Sequence, residues 1–376
     1  MKPDHTKTLS QSHQTESPSP KSPIRESGYE LLRIVSMLMI VSFHTFRYID
    51  TSGFNHWQML AFHGVRWYGL FGVNCFLMIS AWFLVGRQPQ PQKLIPLVSQ
   101  TAFYCIILFV CHIVYNILQG TFHPATDIGE VELTALLSPF WANRYWFITA
   151  YVFLYLLIPY YNRLIQMLSA QTFRKGILCG SLFVFLYLTL PQTFENTTVI
   201  GDILWVSYVY FLTAYLKLHR EDNAIKRHAG VFLLLTYITF VLSKQALTYL
   251  VHNEYLKNIL SHTLGNSMRY SFVMLLLALE LFYLFQRFHF KSRLVNTIAS
   301  CTFGIYLFHE NKIFHICELL ARKLYRPFIT HIPSPALFML TLVLLQFIAG
   351  CLVDLLRQSL FAHVQSLKKH RHPSAS

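Results

Sequence analysis

Residues 29–49 read YELLRIVSMLMIVSFHTFRYI, and this stretch decides the fold class. Its centre, Ile34–Phe43, carries no charge, and the whole is about 20 residues long, enough to cross the hydrocarbon of a bilayer as a helix. Blocks of the same kind recur along the chain, as at Phe103–Tyr115. Hydrophobic residues make up 54% of the 376 positions and charged residues only 13%. A soluble domain has about 25% charged residues. A water-soluble protein of this size could bury its apolar residues, but the charged shell it would need is missing. The expectation is an all-α polytopic membrane protein, a bundle of about ten transmembrane helices. The spans fall near 29–49, 65–86, 94–118, 145–165, 177–194, 201–217, 229–250, 268–286, 294–316 and 335–360.

Outside the spans, residues 1–28 form an expected disordered cytoplasmic tail rich in Ser, Pro, Lys and Gln. Residues 29–360 form one membrane domain, and 361–376 a basic cytoplasmic tail. No short apolar core with a small-residue cleavage site marks a signal peptide, so the first span is expected to stay as an anchor. No internal repeat is seen, which speaks against a transporter built from duplicated halves.

The formal charge of +14 does not imply a nucleic-acid partner, because the basic residues sit in short loops between apolar blocks rather than on one face. Their distribution orients the chain instead. With both termini cytoplasmic, twenty of the 31 Lys and Arg residues fall on the inner side, eight outside and three within spans. Arg322, Lys323 and Arg326 dissent from this pattern and suit an amphipathic interfacial segment. The seven cysteines lie within or beside apolar blocks and make no CxxC pair, so no metal site and no disulfide framework is expected.

An ionisable side chain inside a span costs several kcal/mol unless it faces a cavity or a partner, which makes each one a functional candidate. Arg33 and His44 are eleven residues apart, three turns plus 20°, and so project from one face of the first span about 16 Å apart along its axis. A guanidinium at the cytoplasmic rim can bind phosphate through paired hydrogen bonds. An imidazole deeper in the membrane can take the proton from a hydroxyl that attacks a thioester. The plainer reading is that Arg33 snorkels to headgroups and His44 bonds a neighbouring helix. In the ninth span, Tyr306 and His309 share a face, and His309 falls at the depth of His44. Glu310 beside it could orient an imidazole or hold an acceptor; a packed polar cluster is the alternative. The small residues at 72–81 suit close helix approach, and Tyr145 and Trp146 suit an aromatic belt.

Arg33 and His44 in the first span, Gly-Val-x-x-Phe…Ile-Ser at 72–80, Tyr-Trp-Phe at 145–147 and Phe-Gly-Ile-Tyr-Leu-Phe-His at 303–309 together resemble the acyltransferase-3 family of membrane-bound O-acyltransferases. The resemblance covers residues from about 29 to 360. It implies a bacterial plasma-membrane enzyme that moves an acyl group, usually acetyl from acetyl-CoA, to a hydroxyl of a cell-envelope carbohydrate or lipid-linked glycan. The acyl-CoA is then a co-substrate, with no tightly bound cofactor. The arginine and histidine that such members use match Arg33 and His44. Many relatives carry two arginines separated by two residues after the second span; this chain departs from that pattern, with five residues between Arg87 and Lys93, and if basic charge there grips the donor these two are the substitutes. Relatives have Ser-Gly where this chain has Ser80-Ala81. The rival function is a membrane transporter or flippase of a glycan or small polar substrate, its path lined by the same buried polar residues.

Overall fold

The computed structural model describes residues 26–47, 49, 51, 53–55, 57–59, 62, 64, 69–129, 145–189, 199–219, 223–263, 270–311 and 335–371. Among them the regular structure is helical, with no strand. The α-helices of eight residues or more are α1 (Ser27–Phe46), α2 (Gly72–Leu84), α3 (Leu94–Gln119), α4 (Trp146–Met167), α5 (Ala170–Val184), α6 (Val199–His219), α7 (Ala229–Leu250), α8 (Glu254–Thr263), α9 (Phe272–Phe285), α10 (Arg293–Ser300), α11 (Thr302–His309) and α12 (Pro335–Arg371). Each expected span that falls in this range meets a helix.

Five segments are both long and apolar enough to cross a membrane: Ser27–Phe46, Pro91–Gln119, Trp146–Met167, Val199–His219 and Leu337–Val364. Three shorter apolar helices, Gly72–Leu84, Ala229–Ser243 and Phe272–Phe285, stand where further spans are expected. The segments before the first and last of these three, 65–68 and 264–269, lie outside the described residues. The remaining two expected spans are not continuous α-helices. α5 passes into a π-helical stretch at Phe185–Thr189. The ninth span is divided at Cys301 into α10 and α11. The first turns of α10 are tied to the start of α1. Ser27 Oγ donates to Asn296 Oδ1 (2.9 Å) and accepts from Ser292 N (2.8 Å). The C-terminal boundary expected at 360 is no structural break, since α12 runs on to Arg371.

The surface carries the signature of a lipid-facing protein. Ile106, Val110, Val114 and Ile117 on α3 are exposed, as are Leu337, Leu344, Ile348, Leu352 and Leu356 on α12. Stripes of this length are far larger than the apolar patches soluble proteins tolerate. The buried apolar residues form two cores. One gathers α2, α4, α6 and α9 around Cys75, Met78, Ile158, Trp205 and Phe282. The other gathers α3, α11 and α12 around Tyr104, Ile305, Leu342 and Phe347. α1 is the shared wall: Leu32 and Met39 enter the first core, while Met37, Val41 and Phe46 enter the second. The first span therefore lies at the centre of the molecule.

Two glycines allow these helices to meet. A Cβ on Gly72 would sit 2.6 Å from Ser36 O of α1, so only a residue without a side chain lets α2 approach so closely. This matches the close approach expected of the small residues at 72–81. A Cβ on Gly304 of α11 would collide with the Asp354 side chain of α12. Asp354 is fully buried and held by Gln100 (3.0 Å), Tyr104 (3.0 Å), Arg357 (2.7 Å) and Gln358 (2.8 Å), so it cannot yield. Gly304→Ala is expected to cost about 2 kcal/mol by overpacking, read as a lower thermal unfolding temperature of the detergent-solubilised protein.

Candidate active site

α1 and α2 run antiparallel, with Tyr29 against Phe83 at one end (ring centroids 5.0 Å) and Ser36 against Gly72 towards the other. Arg33 lies one turn in from the Tyr29 end. Its Nη1 donates to both carboxylate oxygens of Glu30, at 3.3 and 3.1 Å, and about three-tenths of its side chain remains accessible. Across from it, Ser80 of α2 bonds the Tyr151 hydroxyl of α4, within the electrostatic reach of Arg33. The other two sequence-derived cations, Arg87 and Lys93, are exposed on the segment joining α2 to α3. They share the Tyr29–Phe83 end of the molecule with Arg33, and neither approaches His44.

His44 lies half a turn before the end of α1, about 26 Å along the helix from Ser27. Its Nδ1 meets Glu310 Oε2 in a short contact, and both side chains keep partial exposure. Glu310 caps α11, directly after His309. The His309 ring packs edge-on against His44, with centroids 5.3 Å apart. The one-helix face expected to carry Arg33 and His44 thus meets the end of α11, as α1 packs on both α2 and α11.

Hydrogen bonding assigns the ring protons. His309 Nδ1 lies 2.7 Å from Ile305 O, and a carbonyl only accepts, so Nδ1 carries the hydrogen and Nε2 a lone pair. Glu310 sets the same tautomer in neutral His44, with Nδ1–H directed at the carboxylate and Nε2 left as the base. A carboxylate beside Nδ1 also stabilises the imidazolium once Nε2 has taken a proton. Ligand atoms of His44, His309 and Glu310 lie within 4.8 Å of one another, so the trio could also hold a divalent ion of the zinc type.

Tyr306, one turn before His309, is buried in an aromatic group with Tyr145, Phe147 and Phe303, and its ring edge meets His309 (6.1 Å). Tyr145 departs from the expected interfacial belt. It is 2% exposed, donates to Leu307 O (3.0 Å) and accepts from Asn311 Nδ2 (2.8 Å), tying the end of α11 to α4. The dissenting Arg322, Lys323 and Arg326 lie outside the described residues. Asn74 is a packing partner, accepting from Trp205 Nε1 (2.9 Å). On α1, Thr45 bonds the fully buried Gln346 of α12 (3.2 Å), holding the helix rotation that presents His44.

Sequence reasoning missed Glu30, Asn311 and Gln346. Glu30 had a legible signal, one turn before Arg33 on the same helix face. Asn311 and Gln346 had none, because their partners are more than 160 residues away in the chain.

The family model described as an acyltransferase domain matches residues 26–354. Comparison with curated proteins and with solved structures finds no match. The match takes in Arg33, the His44–Glu310–His309 cluster and the helices that position them as far as residue 354 in α12, so this multi-pass membrane protein belongs to the acyltransferase-3 family.

Proposed function

We propose that the protein transfers an acyl group, acetyl from acetyl-CoA, to a hydroxyl of a cell-envelope carbohydrate or lipid-linked glycan. One observation carries this reading: a single helix holds an accessible guanidinium at one end and, three turns on, an imidazole backed by a carboxylate. In the proposed arrangement the membrane domain makes ten crossings of a bacterial plasma membrane, with both termini cytoplasmic. Arg33 then faces the cytoplasmic supply of acyl-CoA, and His44 lies in the outer half of the bilayer. The donor spans the difference. Its phosphates rest on Arg33, with Arg87 and Lys93 at the entrance, and its pantetheine arm runs along α1 to the imidazoles.

His44 Nε2 takes the proton of the acceptor hydroxyl as the oxygen attacks the thioester carbonyl. Collapse of the tetrahedral intermediate breaks the C–S bond, leaves the new C–O ester, and returns the proton from the imidazolium to the CoA thiolate. Glu310 holds the ring and steadies its positive charge. His309 and Tyr306 wall the cavity around the reacting carbonyl, and the Tyr145–Asn311 bonds fix the end of α11 on which His309 and Glu310 sit.

The test is to incubate purified protein with radiolabelled acetyl-CoA and lipid-linked glycan, following free thiol and labelled glycan together. Equal release of both is expected. Flux of glycan across vesicles without thioester consumption would favour a transporter or flippase instead. Glu310→Gln keeps an acceptor for Nδ1–H but loses the charge. It is expected to lower kcat about 10-fold, the equivalent of about 1.4 kcal/mol at the transition state, with little change in KM for acetyl-CoA.

A further inference from the structure

Four carbonyl groups at and beyond the end of α2 are each held by a side chain from another helix. Lys217 Nζ of α6 donates to Trp82 O (2.6 Å) and lies over the Trp82 ring. Asn162 of α4 donates from one amide nitrogen to Leu84 O (3.0 Å) and Arg87 O (2.7 Å). Tyr155, two turns earlier on α4, donates to Gln90 O (3.3 Å). Asn162 is 2% exposed, and Tyr210 of α6 donates to its Oδ1 at 2.7 Å, so the amide can present only its nitrogen to the two carbonyls.

A helix end needs partners for its last carbonyls, and water or a local turn supplies them at most helix ends. Here the clasp reaches past the helix, across Gly86 at φ 80°, to Arg87 and Gln90. The backbone of Arg87 is thereby tied to the buried faces of α4 and α6, while its side chain remains exposed. A cation whose backbone is already fixed loses less freedom when it grips an anion, which is how preorganisation raises affinity.

From this geometry we propose that Asn162 is a positioning residue that sets Arg87 to receive the phosphate head of the acyl-CoA donor; the inference rests on the donor assignment proposed above. The experiment compares acetyl-CoA with acetyl-pantetheine, the same thioester without the phosphorylated nucleotide, on the full-length protein in lipid nanodiscs. Asn162→Ala is expected to raise KM for acetyl-CoA about 10-fold, the scale of one hydrogen bond to a charged group. Its kcat, and its use of acetyl-pantetheine, should match the parent protein. Tyr210→Phe leaves the amide–carbonyl bonds in place but frees the amide to turn, and should show the same donor-selective shift at smaller size even if Asn162→Ala does not fold.

Equal losses with both donors, or an unchanged KM for acetyl-CoA in both variants, would overturn the proposal. Calorimetric binding of adenosine 3′,5′-bisphosphate, part of the donor's head, separates the two levels of inference. If the parent protein binds it more tightly than the variants but makes no acylated product, the transferase reading falls and the clasp stands. If product forms and all three proteins bind the bisphosphate alike, the clasp alone falls.

Discussion

His44→Ala is expected to reduce acyl transfer by about 10³-fold, the middle of the range for removing a general base, with KM for acetyl-CoA nearly unchanged. The loss should fall on kcat because the imidazole acts on the acceptor proton, whereas the donor's phosphates are held some three turns away on α1. The replacement should leave the fold intact. His44 keeps a quarter of its side chain accessible, and its neighbour Thr45 carries the tie to Gln346. Loss of the imidazole also takes an ion-pair partner from Glu310, so His44→Ala combined with Glu310→Gln is the control that separates chemistry from the loss of that pair. If Glu310 acts through His44, adding Glu310→Gln to His44→Ala should cost no further activity. The measurement is single-turnover transfer of label from acetyl-CoA with unfolding temperature recorded for each variant. Full activity of His44→Ala would eliminate the mechanism.

Arg33→Ala is expected to lower kcat/KM for acetyl-CoA by about 10²-fold, the scale of a lost bidentate guanidinium–phosphate contact, with most of the change in KM. The guanidinium is engaged by Glu30, whose side chain is buried. Phosphate must therefore compete with an existing partner, and removing the arginine takes that partner from the carboxylate. The variant Glu30→Gln/Arg33→Ala keeps the two effects apart, since it removes the cation without stranding the anion. Arg33→Lys should recover only part of the loss, because a lysine offers a point charge rather than a planar fork. A donor KM that is the same for Arg33→Ala and the parent protein would remove Arg33 from the donor site.

The largest features were legible along the chain because their physical cause is local. A bilayer demands unbroken apolar runs, and α1, α3, α4, α6 and α12 supply them wherever they pack. Helical periodicity is equally local, so the shared face of Arg33 and His44 follows from their spacing alone. Counting along the first and ninth spans sets His44 and His309 at one level, and in the fold the two rings meet. The interrupted ninth span was not legible. What joins α10 to the start of α1, the bonds of Ser292 and Asn296 to Ser27, lies 265 and 269 residues away in the chain.

Pairing across distant segments likewise required the folded chain. Periodicity could set Glu310 near the level of His44, but only the packing of α11 on α1 brought that carboxylate to Nδ1. Tyr145 shows the same limit from the other side: a tyrosine opening a span has the composition of a belt residue, and its burial against Leu307 and Asn311 depends on which helix lies beside it. Span, face and depth are properties of one helix in a bilayer, and the order of residues specifies them. Which faces touch is a property of the whole bundle, settled by glycines such as Gly72 and Gly304 that permit contact and by buried polar atoms that must find partners once water is gone.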